Sequence, residues 1–127
     1  MPRATQLTIS LKSKTGVLAQ LARTLADARV NITNLSADSP GGRGKIRVIV
    51  NDPANARRAL RRGKYRFSEE PAFVVRLRNK PGSLARVAGK LAKARVNIKS
   101  AYATTAGRGA AVVFTVGSMK KAGKVLR

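Results

Sequence analysis

The chain has 127 residues, 43% of them hydrophobic, and sets 27 Lys+Arg against 5 Asp+Glu for a formal charge of +22. That length and composition describe one globular domain or two very small ones and exclude a disordered chain. No apolar stretch reaches the ~20 residues of a membrane span, the N-terminus has no apolar signal core, and the lack of Cys excludes disulfides and thiolate chemistry. With no export signal, the expected location is the cytoplasm.

In chain order, residues 6–12 alternate apolar and polar side chains, the pattern of a half-buried strand. Residues 13–16 break it. Val17, Leu18, Leu21, Ala22, Leu25 and Ala28 then recur at the spacing of one helix face, with Gln20, Arg23, Thr24 and Asp27 on the other. Residues 30–35 read as a second strand, 39–44 as a turn by composition and 46–50 as a third strand, so strands two and three form a hairpin. Asp52 caps a second helix with Pro53 at its first position. Ala56, Ala59 and Leu60 face inward, and Gly63 ends the helix. Residues 64–68 alternate again as a fourth strand, completing the order β-α-β-β-α-β.

The order then starts again. Phe73, Val75 and Leu77 alternate in a strand, and Leu84, Val87, Ala88 and Leu91 line a helix. Residues 96–98 open the next strand, 112–116 form the third, and 119–126 form a second helix. Sliding residues 7–60 onto 73–126 at a constant offset of 66 gives 18 identities in 54 positions without a gap. Two copies of one unit, 1–70 and 71–127, therefore make up the chain, with residues 70–72 as the only linker. The second copy has no fourth strand of its own. Right-handed crossovers place both helices of such a unit on one face of an antiparallel sheet, the α+β ferredoxin-like arrangement. Units this small bury little surface alone, so they are expected to share a core or a sheet. A missing strand leaves a sheet edge that a second chain would cover, giving a homodimer.

Two residue types recur at matching points. Gly16 and Gly82 sit where a strand turns into a helix, where glycine permits positive φ beside unpaired helix N–H groups that suit an anion or carboxylate. A tight turn that binds nothing explains them equally. Asn31 and Asn97 stand at the start of the following strand, where an amide can both donate to and accept from an amino acid. A turn residue bonding its own backbone is the alternative.

The run 80–87, Lys-Pro-Gly-Ser-Leu-Ala-Arg-Val, followed by Leu91-Ala92 and Val96-Asn97-Ile98, resembles the signature of the ACT domain. The first copy matches with Thr15 in place of the proline, and the whole chain is similar to small stand-alone tandem ACT proteins of prokaryotes. The resemblance implies a non-enzymatic regulatory protein that binds a small molecule, typically an amino acid, at an interface between two units. By motif match, the ligand contacts are Thr15, Gly16, Val17, Leu18, Asn31 and Ile32 in one copy. In the other they are Pro81, Gly82, Ser83, Leu84, Asn97 and Ile98.

Catalysis finds little support, because His and Cys are absent and the five carboxylates form no acid–base pair or metal cluster. No cofactor or metal is expected. The glycine runs at 41–44 and 107–109 join strands and lack the Lys-Ser/Thr ending of a phosphate loop. The +22 charge supports a second reading, a basic protein that binds nucleic acid or other polyanions on a ferredoxin-like fold. RNA-recognition domains share the β-α-β-β-α-β order but stack bases on sheet aromatics. Residues 46–50 contain none and 112–116 only Phe114, so binding of this kind would be charge-driven and salt-sensitive.

Overall fold

The computed structural model describes residues 3–126, apart from the Pro40 side chain. Met1, Pro2 and Arg127, which the sequence places at the outer ends of the two units, lie outside the described residues. The elements are β1 (Arg3–Lys12), α1 (Val17–Asp27), β2 (Ile32–Asp38), β3 (Arg43–Val50), α2 (Pro53–Arg62), β4 (Arg66–Arg78), α3 (Ser83–Lys93), β5 (Ile98–Ala106), β6 (Gly109–Val116) and α4 (Met119–Val125). A 3-10 turn at Pro40–Gly42 joins β2 to β3. The class is α+β and ferredoxin-like, with antiparallel strands and two repeated units. Residues Thr5–Glu70 group into one compact unit, and Pro71 onward, with Arg3 and Ala4, into the other.

In the first unit β3 lies between β2 and β1. Leu7 and Ile9 alternate along β1 and pack with Ile46, Val48 and Val50 of β3. Leu21 and Leu25, one helical turn apart on α1, close over them, and Ala56 and Leu60 of α2 complete the core. The start of α2 follows the sequence signals: Asp52 Oδ1 accepts from the Asn55 N–H at 3.1 Å and Pro53 opens the helix. Gly63 is the C-cap at φ −79°, so the left-handed residue is its neighbour Lys64, at φ 60°.

In the second unit β6 lies between β4 and β5. Phe73 and Val75 pack with Val112, Phe114 and Val116, under Val87 and Leu91 of α3 and Ala122 of α4. The pairing register repeats at the sequence offset: Ile9↔Ile46 and Leu11↔Gly44 become Val75↔Val112 and Leu77↔Ala110. Even the irregularity between Ile32 and Asn34 recurs between Ile98 and Ser100. The Arg3 guanidinium lies 5.4 Å from the centroid of the Phe73 ring.

Three sequence expectations change. Residues 70–72 are not a linker; they lie inside β4, which runs unbroken from Arg66 to Arg78 and joins the predicted fourth and fifth strands. Pro71 carries no N–H, and the recorded β4–β6 ladder begins two residues later, at Phe73. Leu18 and Leu84, expected on the buried helix face, are 42% and 51% exposed. They stand in the first helical turn, ahead of the residues that reach each core.

Candidate ligand-binding site

Both strand-to-helix loops are built alike. Gly16 and Gly82 are the N-caps of α1 and α3, each at φ 88°, a left-handed conformation that strains any residue with a Cβ. Their carbonyls accept the first helical bonds, from the Gln20 N–H at 2.9 Å and the Arg86 N–H at 3.0 Å. Neither helix has a side-chain cap. The other two helices do: Asp52 caps α2, and Ser118 Oγ accepts from the Lys121 N–H at 3.2 Å on α4. The Val17 and Ser83 N–H groups donate to the Lys14 and Lys80 carbonyls, each at 3.3 Å, and the first-turn N–H groups that follow lack the side-chain acceptor that their counterparts in α2 and α4 possess. A Cβ built on Gly16 or Gly82 would meet nothing within 4 Å, so a ligand can approach the backbone there. Donors at a helix N-terminus suit a carboxylate.

Asn31 and Asn97 sit one residue ahead of β2 and β5, and both are exposed. Their carbonyls are held, by the Asn51 N–H at 3.1 Å and the Gly117 N–H at 2.8 Å. The Asn31 N–H also donates to Asn51 Oδ1 at 2.9 Å. At the matching position Gly117 has no side chain to do this. The side-chain amides of Asn31 and Asn97 make no hydrogen bond among the described residues. A turn former would spend its amide on local backbone, and neither does.

The remaining predicted contacts divide by burial. Thr15, Leu18, Pro81 and Leu84 are exposed and Val17 is half-buried, whereas Ser83 is buried. Ile32 and Ile98 pack against the two cores, which leaves mainly their backbone for a ligand. Asn51 joins the site only through the pairing of β2 with β3, and its one signal in the sequence is a break in the repeat, Asn51 against Gly117. Phe114, like Phe73, is a core residue, and Tyr65 and Phe67 pack against the first core, which takes these rings away from base stacking. Among the described residues, no three His, Cys, Asp or Glu side chains gather to hold a metal. Among the described residues, no helix is long and apolar enough to cross a membrane.

The ACT domain family model matches residues 5–62 and again 72–126. The chain belongs to the ACT domain family. It is a tandem ACT protein, similar over 98% of its length to a Bacteroides thetaiotaomicron protein of known structure. The two are 31% identical, 86% of that chain is covered, and the TM-score is 0.92. The ligand-free regulatory subunit of aspartate kinase from Thermus thermophilus is 17% identical, with 98% of this chain and 88% of that one covered and a TM-score of 0.72. Its Thermus flavus counterpart is 16% identical, with 98% and 90% covered and a TM-score of 0.69. The last two likenesses show the fold. No curated protein matches the sequence.

Proposed function

We propose that this tandem ACT protein is a non-enzymatic cytoplasmic regulator that senses an amino acid. ACT domains are regulatory modules that bind small molecules, and the structural likeness to aspartate kinase regulatory subunits accords with that role. The boundary between the two ACT domains is placed between residues 70 and 71. The ligand sits against the loop of residues 15–18 with Asn31 and Ile32, or against residues 81–84 with Asn97 and Ile98. A unit of a second copy of the chain closes the pocket, so the working form is a homodimer.

One observation carries this reading: α1 and α3 alone begin at an uncapped left-handed glycine, and each is followed by an asparagine whose amide is unengaged. Backbone N–H groups suit the ligand carboxylate, and the amide suits its ammonium and remaining oxygen. The second loop is favoured, because Pro81-Gly82 matches the family pattern and Thr15-Gly16 departs from it. A thermal-shift panel of the common amino acids tests the reading, since a ligand of the native state raises the unfolding temperature. One or a few amino acids are expected to stabilise the protein at millimolar concentration; a flat response across the panel would contradict it.

A further inference from the structure

The C-terminal unit holds a cavity whose charge sets it apart from the first unit, on grounds independent of the amino-acid reading. All five carboxylates of the chain lie between Asp27 and Glu70. Residues 71–127 hold 13 Lys and Arg and no acidic residue. Within this unit a cavity of about 370 Å³ opens between β4, α3 and the end of α4. Its apolar lining comes from Val75, Leu77, Val87, Val125 and Leu126. Its cations are Lys80 of the loop and Arg86 and Lys90, one turn apart on α3; Arg76 and Arg78 alternate with Val75 and Leu77 and project from the other face of β4. Ser83, 8% exposed, contributes a hydroxyl to the wall. None of these three cations makes an ion pair among the described residues.

The repeat supplies an internal comparison. At the offset of 66, Arg86 and Lys90 replace Gln20 and Thr24 of the first unit, and Ser83 replaces Val17. The fold does not need cations at these positions, because the first unit adopts the same register without them. Like charges around a cleft with apolar walls repel one another and focus a positive field into it. A multiply charged anion removes that repulsion, and nothing in residues 71–126 can supply one.

We infer that this cavity binds a small organic polyphosphate, its di- or triphosphate among Arg86, Lys90 and Lys80 and its organic body on the apolar wall. The volume falls in the range of small-ligand pockets, about 300–1,000 Å³. Lys80 lies in the loop before α3 and Ser83 opens that helix, so an occupied cavity bears on the same segment as the proposed amino-acid site.

Isothermal titration of the full chain with ATP, pyrophosphate and duplex DNA at about 150 mM salt tests this, with the general field of the protein screened. The variant R86Q/K90T installs the first unit's own residues. The control K93Q/K120Q removes the same charge from exposed positions of the same unit outside the cavity. ATP is expected to bind once per chain, at least tenfold more weakly to R86Q/K90T and within threefold of wild type to the control. Should R86Q/K90T unfold earlier than wild type, Lys90→Thr alone replaces it, with a loss of at least threefold. Absent ATP binding, or equal weakening in the two variants, overturns the site. Pyrophosphate binding as tightly as ATP overturns the role of the apolar wall. DNA affinity falling far more in R86Q/K90T than in the control overturns the small ligand in favour of a nucleic-acid backbone.

Discussion

Leu18 and Leu84 occupy the same turn of α1 and α3, 66 residues apart, and both are turned to solvent, 42% and 51% exposed. Each stands in the first turn after a glycine, so an apolar side chain and N–H donors without a side-chain cap flank the same opening. The folded cores do not depend on them. Leu84→Ser is expected to change unfolding free energy by less than about 0.5 kcal/mol. Leu91→Ala empties a fully buried position and is expected to lower stability by about 2–5 kcal/mol. Denaturant titration separates the two, and equal losses would contradict the placement of Leu84.

Three helices end in the same left-handed turn. The N–H groups of Val30, Tyr65 and Val96 donate to the carbonyls of Leu25, Leu60 and Leu91, each at 2.9 Å. Arg29, Lys64 and Arg95 carry the positive φ that this closure needs, at 61°, 60° and 60°. Glycine adopts it without strain, so Arg95→Gly is expected to raise stability by about 1 kcal/mol. Gly82→Ala is expected to lower it by a similar amount, although the space beside Gly82 is open. Thermal unfolding of the two variants checks both signs.

Much of this architecture was legible in the sequence because local signals agreed. Alternation at 6–12, the Leu21 and Leu25 spacing and the Asp52-Pro53 start each matched the element that formed. The repeat of 66 residues predicted the second unit, and the structure repeats even the strand irregularity. Residues 70–72 misled, because Glu-Pro-Ala reads as a break, and only the backbone shows that the strand continues through Pro71. Leu18 and Leu84 misled because they fit the helical period; burial is decided by what lies opposite each turn, which periodicity does not contain. Gly16, Gly82, Asn31 and Asn97 were visible as repeated residues. Their uncapped and unengaged states needed coordinates.

Homodimer formation should respond to salt. β2 and β5 each have one hydrogen-bonded neighbour, which leaves the other side of each strand open to a second chain. Repulsion between molecules of charge +22 opposes that contact and is screened as ionic strength rises. Light scattering is expected to show the dimer fraction growing with salt. Monomer alone at both low and high salt would remove the proposed second wall of the amino-acid pocket.

The central claim is that Asn97 and the loop at Gly82 hold an amino acid. Calorimetric titration of the amino acid that most raises the unfolding temperature, into wild type, Asn97→Ala and Asn31→Ala, tests it most directly. Asn97→Ala is expected to lose roughly 1–3 kcal/mol of affinity as its hydrogen bonds to the ligand vanish, and Asn31→Ala to lose less. Unchanged affinity in both variants would contradict the account and leave the two asparagines as strand-entry residues only.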